Sequence, residues 1–327
     1  MAKPRILSGM RPTGKLHLGH LVGALDNWVR LQSEYECFYM VADWHALMSE
    51  YENSSNLAEY SRDNVLDWLA CGIDPKQSVV FRQSDIPEHA ELHLIFSCLT
   101  PLGWLERCPT YKEQLAEIKE RDLTTYGFLG YPVLQAADIL IYKASAVPVG
   151  EEQLPHLELT REIARRFNHL VKKQIFPEPQ AKLTPTPRLL GPDRRKMSKS
   201  YGNTINLSDP PEEIRKKVQT MFTDPKRLKR TDQGHPEECN VYEYYKVFDP
   251  RRIETLIKEC KSAKVGCTDC KKGLAEVIIK RLEPIQAKRR DIQPGEGYLE
   301  TVLSEGREKA RKIASLTMQE VKEAIFH

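Results

Sequence analysis

No apolar run in the chain is long enough to cross a bilayer, and the opening Met-Ala-Lys-Pro-Arg is followed by only a brief apolar stretch, unlike a secretory leader. The expectation is a cytoplasmic protein with no membrane partner. Net charge is also scarce, at +3 over 327 residues, too little to mark a nucleic-acid binder by its sum. Distribution matters more: seven basic and two acidic residues lie between Lys271 and Arg290, a pattern that a solvated helix face also explains. Internal repeats and low-complexity segments are lacking, which argues against solenoids and disordered tails. What remains, 40% hydrophobic and 29% charged residues, is the composition of a globular protein with room for two modest domains.

Two short segments carry the first chemistry. Arg5 to Gly9 is apolar and strand-like, and Leu18, Leu21, Leu25 and Val29 recur at helical spacing, so strand, glycine-bearing turn and helix follow one another. In that turn lies His17-Leu18-Gly19-His20. A helix start presents unpaired N–H groups and a positive dipole end, which suits phosphate. Imidazoles three residues apart can face one anion, and Gly19 allows a nucleotide close to the backbone. A structural pair or an i,i+3 metal site would use the same residues. Downstream, Lys196-Met197-Ser198-Lys199-Ser200 sets two lysines and two hydroxyls in a loop bounded by Gly191-Pro192 and Gly202. Such a loop can hold distal phosphates and close over them, although a solvated basic loop reads the same way.

Strands alternate with helices through the first half. Glu36 to Trp44 is a strand-length apolar run, Asn56 to Cys71 a helix ending at Gly72, and Ser78 to Phe81 another strand. This predicts a parallel α/β sheet of Rossmann type, with ligands at the carboxyl ends of the strands. Ile86 to Arg121 reads as helices. Tyr131, Gln135 and Asp138 fall at i, i+4 and i+7, on one face of a helix amid apolar residues. A carboxylate there is expensive to bury alone, so Asp138 caps or pairs with a neighbour, or meets a ligand. Val147 to Gln153 is a strand end and helix start, Leu159, Ile163, Phe167 and Leu170 continue that helix, and four prolines mark a linker between Phe176 and Arg188. From Pro211 the chain is mostly helical, contains the basic turn Lys226 to Arg230, and closes with helices at Lys271–Arg290 and Glu296–Phe326.

Of eight cysteines, Cys37, Cys71, Cys98 and Cys108 lie in apolar surroundings and read as small buried side chains. The other four form Cys239-x20-Cys260-x6-Cys267-x2-Cys270, which reads as a metal or cluster site before it reads as disulfides. Zinc more often takes two short-spaced pairs, whereas an uneven set can also wrap a cubane, each iron taking one thiolate.

The two signatures, in this order and separation, resemble those of the class I aminoacyl-tRNA synthetases, and the whole chain resembles the bacterial tryptophanyl-tRNA synthetase family. The resemblance implies a Rossmann-type catalytic domain over 1–205, with a connecting insertion at about 86–125 that carries dimer contacts. It implies an α-helical anticodon-binding domain over 206–327, a homodimer, and ATP, Mg2+, L-tryptophan and tRNA(Trp) as cofactors and substrates. His17, His20, Lys196 and Lys199 are then the catalytic groups. The nucleotide is held by Arg11, Pro12, Thr13, Gly19, His20, Gly150, Glu151, Glu152, Leu189 and the segment Lys196, Met197, Ser198, Lys199, Ser200, with Glu at 152 where the family has Asp. The amino acid is held by Leu7, Gly9, Tyr131, Gln135, Asp138 and Gln153, with Asp138 accepting the indole N–H. Tyrosyl enzymes share the Tyr, Gln, Asp helix but usually have Tyr at the position of Leu7 and an acid at that of Arg11, so these two residues favour tryptophan. Some relatives hold a [4Fe-4S] cluster on a four-cysteine pattern, which implies Cys239, Cys260, Cys267 and Cys270 as its ligands, with zinc the alternative. Rival readings are a tyrosyl enzyme, a His-x-Gly-His small-molecule nucleotidyltransferase, and a noncatalytic RNA-binding iron–sulfur sensor.

Overall fold

The computed structural model describes residues 3–109, 111–112, 122–183, 189–198, 201–292 and 296–327. The chain divides into two compact units, one formed by 1–13, 28–185 and 295–327, the other by 14–27 and 186–294.

The first unit is built on a five-stranded sheet in the order β3-β2-β1-β4-β5. Its strands are β1 (Arg5–Met10), β2 (Glu36–Val41), β3 (Ser78–Arg82), β4 (Ala146–Val149) and β5 (Gln180–Leu183), and every pairing is parallel. Parallel strands buried on both faces need near-continuous apolar runs, and Cys37 to Val41 and Val79 to Phe81 supply them, all buried. The connecting helices are α1 (Asp43–Glu50), α2 (Leu57–Cys71), α3 (Glu88–Leu99), α4 (Tyr126–Ile141) and α5 (Leu154–Val171). Gly72, at φ 118°, takes the left-handed conformation that ends α2, as its position after the apolar period predicts. Thr125 starts α4, its hydroxyl accepting from the Phe128 N–H at 3.2 Å.

β5 lies inside the stretch read as a proline linker. Pro179 stands just before it, and as the outermost strand β5 needs pairing only on its β4 side, so a short polar segment suffices. The cysteines read as buried also divide: Cys37 and Cys108 are buried, Cys71 is half-buried and Cys98 is exposed at the end of α3.

The second unit contains α6 (Pro211–Gln219), α7 (Asn240–Phe248), α8 (Ile253–Lys261) and α9 (Cys267–Ile292). Leu274, Ala275, Ile278 and Leu282 form the buried stripe of α9, at helical spacing, and α6 and α7 pack on that helix through Ile214, Val218, Val241 and Tyr244. The last helix, α10 (Glu296–Phe326), belongs to the first unit and packs against β3 and α3. Among the described residues no helix is long and apolar enough to cross a membrane.

Candidate active site

At the carboxyl ends of β1, β2 and β4 the first unit encloses a cavity of about 310 Å³, the size of a small-molecule site in the position open α/β sheets favour. Leu7, Gly9 and Arg11 reach it from β1 and its extension, Met40 and Ala42 from β2, His45 and Met48 from α1, and Val147 and Val149 from β4. From α4 come Phe128, Tyr131, Gln135, Asp138 and Ile139, and from the start of α5 come Gln153 and His156. The face of α4 expected from spacing is thus the one that lines the cavity. All six residues expected to hold the amino acid, with Arg11, meet here. Gly9 pairs with Met40 in the sheet, and a Cβ on it would stand 2.8 Å from the Met40 carbonyl, so the close strand approach at the cavity wall requires glycine.

Asp138 is 2% exposed and its charge is compensated by three donors. His89 Nδ1 lies 2.6 Å and Gln83 Nε2 2.8 Å from Oδ1, and His45 Nε2 lies 2.8 Å from Oδ2, which Gln83 also approaches at 3.0 Å. Gln83 is oriented by its other end, where Oε1 accepts from the Trp44 and His45 N–H groups. His89 is oriented by Tyr142, whose hydroxyl is 2.7 Å from Nε2. A hydroxyl donating to Nε2 leaves Nδ1–H to donate to the carboxylate. Burial pushes the Asp138 carboxyl up, but the hydrogen bonds from His45 and His89 outweigh it and hold the group below the ordinary carboxylate range. The result is an ionised acceptor held in place by three donors at the cavity wall. His45, Gln83 and His89 were absent from the residues singled out in the sequence. The available signal was position, since His45 follows β2 and Gln83 follows β3, both at strand carboxyl ends.

The second unit holds both signature segments. His17 precedes a helical turn, Leu18–His20, that runs into a π-helical segment, Leu21–Leu25. The two histidines cap this helix reciprocally: His20 Nδ1 accepts from the His17 N–H at 3.1 Å, and the rings lie 3.8 Å apart. A Cβ on Gly19 would stand 3.0 Å from the His17 ring, so the glycine makes room for that ring. The segment pairs with the chain just after the lysine loop, the Leu18 N–H donating to the Ile205 carbonyl and the Leu207 N–H to the Leu16 carbonyl, both at 2.9 Å. Lys196 is exposed, Met197 is buried beside Gly19, and Leu189 is buried at the loop's entry. Asn203 closes the loop, its Oδ1 accepting from the Ser198 N–H and its Nδ2 donating to the Lys196 carbonyl. Lys199 and Ser200 lie outside the described residues.

In the first unit, Pro12 is buried and Thr13 partly so. Gly150 ends β4's extension, and a Cβ there would collide with the carboxylate of Glu152. Glu151, Glu152 and Gln153 form a single 3-10 turn leading into α5.

Cys239, Cys260, Cys267 and Cys270 border one small cavity in the second unit, together with Asp224, Arg227, Val241 and Leu256. Cys239 precedes α7, and backbone N–H groups of Val241 and Tyr242 face its sulfur. Cys267 and Cys270 occupy the first turn of α9. Burial pushes the Cys239, Cys260 and Cys270 thiols up, Cys270 to about 12. Among the described residues no set of three or more His, Cys, Asp or Glu side chains is already drawn to metal-holding geometry.

Comparison with known proteins agrees with this layout. The family described as tRNA synthetases class I (W and Y) matches residues 1–283. A tryptophan–tRNA ligase of Thermotoga maritima is 55% identical over 324 residues, covering 98% of each chain, and one of Aquifex aeolicus is 44% identical, covering 98% of this chain and 99% of its own. Among solved structures, the tryptophanyl-tRNA synthetase of Campylobacter jejuni complexed with ADP and tryptophan superposes with a TM-score of 0.88 at 34% identity, over 98% of this chain and 99% of that one. With a parallel sheet, a carboxylate-floored cavity at its strand ends and the His-x-Gly-His turn paired beside the lysine loop, the chain belongs to the class I aminoacyl-tRNA synthetases of the tryptophan and tyrosine family.

Proposed function

We propose that the chain activates L-tryptophan with MgATP, forming tryptophanyl-adenylate and pyrophosphate, and then transfers tryptophan to the 3′-terminal ribose of tRNA(Trp). The observation that carries the substrate choice is the ionised Asp138 in the lining of a cavity that Leu7, Met40, Ile139 and Val149 also line, an acceptor for one N–H. Leu7 has no hydrogen-bonding group for a phenol, and Arg11 suits a carboxylate or phosphate. The carboxylate of tryptophan attacks the α-phosphorus and pyrophosphate departs, and no covalent enzyme intermediate is required. His17, His20 and Lys196, with Lys199, stabilise phosphate charge, while Gly150 and Glu152 serve the nucleoside. Amino-acid-dependent ATP–pyrophosphate exchange tests the reading: tryptophan alone is expected to support it. Exchange with tyrosine would overturn the substrate, and exchange without amino acid would favour a small-molecule nucleotidyltransferase.

The helical region over 206–327 is proposed to contact the tRNA anticodon, and the chain to act as a homodimer, a reading supported by exposed Leu94, Leu102 and Tyr126. The four cysteines are proposed to hold a [4Fe-4S] cluster, with a structural or anticodon-facing role. Their fit rests on four thiols bordering one cavity and on two helix N-termini, those of α7 and α9, which favour the negative charge of bound thiolates. When bound, the cluster would supply a cross-link between α8 and the starts of α7 and α9. Anaerobic purification is expected to give a brown protein with acid-labile sulfide, both lost in Cys270→Ser. Zinc without sulfide would identify the alternative.

A further inference from the structure

We propose that Asn240 and Tyr244 are positioning residues for Lys196 and that, through Cys239, they make the grip of the lysine loop on the nucleotide's phosphates depend on what the four cysteines hold. This rests on reading that loop as the phosphate holder and the cysteines as ligands. Lys196 is exposed, and backbone contacts set its place. It bridges to Leu190 in antiparallel fashion. The turn between them is closed by the Gly191 N–H donating to the Arg195 carbonyl at 2.7 Å and the Arg194 N–H donating to the Gly191 carbonyl at 2.9 Å. Lys196 therefore stands wherever Leu190 and Gly191 are held.

Those two residues are held by α7. Asn240 Nδ2 donates to the Gly191 carbonyl at 2.8 Å, and the Tyr244 hydroxyl donates to the Leu190 carbonyl at 2.5 Å. Both side chains are buried, and their four-residue spacing puts them on one face of the helix. A buried carbonyl that loses such a donor either stays unmatched at a cost or shifts to find another. The cysteine site enters one residue away. Cys239 stands between Asn240 and Glu238, and the Glu238 carbonyl accepts from Arg194 Nη1 at 3.1 Å. The residues on either side of this cysteine thus both touch the loop, one through Gly191 and the other through Arg194. Cys239 shares its cavity with Cys260 near the end of α8 and with Cys267 and Cys270 at the start of α9. A bound metal or cluster would tie the start of α7 to those two helices. Without that tie, Glu238 and Asn240 keep only their hydrogen bonds to hold the loop in register.

Trypsin reads the loop independently of catalysis, because Arg194, Arg195 and Lys196 are exposed. Cleavage after these residues, followed by mass spectrometry on anaerobically purified protein, is expected to slow when ATP is added. Stripping bound metal with ferricyanide and EDTA should speed it by about threefold to tenfold and raise the Kd for ATP by a similar factor. The Kd for tryptophan, whose cavity lies in the other unit, should stay within about twofold. Tyr244→Phe, which keeps the ring and removes the donor, should reproduce both changes with the metal in place, and stripping should then add little. Asn240→Asp, which also loses the donor, is expected to do the same. General loosening of the helical unit would instead add to the effect of Tyr244→Phe. Additive effects, an unchanged Tyr244→Phe, or a natural protein whose loop is cut equally fast with and without metal would overturn the proposal and leave both site readings intact. A loop that ATP does not protect would overturn the phosphate reading, and a purified protein without iron or zinc the cysteine reading, each taking the proposal with it.

Discussion

Asp138→Asn is expected to lower kcat/KM for tryptophan-dependent pyrophosphate exchange by about 10²–10³-fold. The amide keeps the shape of the side chain and loses what the surroundings are built for. Three donors converge on the carboxylate, from His45, Gln83 and His89. An amide offers one accepting oxygen and turns an NH2 toward donors on its other side. His89 is 0% exposed, so a donor left unmatched there carries its full desolvation cost. Bonds to a charged group are worth about 1.5–3 kcal/mol each, and the stated range, about 2.7–4.1 kcal/mol, corresponds to losing one or two of them. The same variant reports on stability. Because the folded carboxyl titrates below its ordinary value of 3.8, its stabilising contribution is complete above about pH 4 and disappears as pH falls through the folded value. The gap in stability between the natural protein and Asp138→Asn should therefore be widest near neutrality and shrink below pH 4. A variant within threefold of natural activity would remove Asp138 from the substrate site.

The face of α4 was legible because helical spacing alone sets Tyr131, Gln135 and Asp138 in line, and the apolar residues between them force that line toward a covered surface. The parallel sheet was legible for a similar reason: strands buried on both faces need unbroken apolar runs. What the sequence hid depends on distance along the chain. Asp138 was recognisable as a carboxylate in need of a partner, but Gln83 and His89 lie 55 and 49 residues away, and nothing local to either announces that the sheet delivers them to one point. His156 was obscured differently, since on an amphipathic helix start it looks like any half-polar position. β5 was missed because prolines around a short polar run imitate a linker, and only its pairing with β4 makes it a strand. The cysteines show the opposite case, in which spacing drew attention to a set of thiols that do share one cavity, while their ligand chemistry still rests on measurement.

Substituting Gly306 is expected to be the most damaging small change outside the cavity. Its surroundings in sequence, in a 31-residue helix rich in charge, suggest that alanine would improve it, by roughly 1 kcal/mol of helix propensity. Packing reverses the sign. A Cβ built on Gly306 falls on the carbonyl group of Val80 and within 3.2 Å of the Val80 nitrogen. Those are backbone atoms of β3, which the register with β2 holds in place, so they cannot rotate aside as a side chain would. The close approach continues along the same face, where Ala310 and Ala314 follow at four-residue intervals, both fully buried. For Gly306→Ala to fold, α10 must move off β3, loosening the face on which Leu303, Ala310 and Met318 are buried. Overpacking of this kind costs about 1–3 kcal/mol in a yielding core and more where backbone meets backbone, so a net loss of at least ~2 kcal/mol is expected, and Gly306→Val should not accumulate as folded protein. With two compact units the chain need not unfold in one step, so the variant is best read by hydrogen exchange at β3 and α3. Faster exchange confined to those elements would trace the damage to the seat of α10, whereas unchanged protection and an unchanged melting profile would show that the helix does not depend on glycine to reach the sheet.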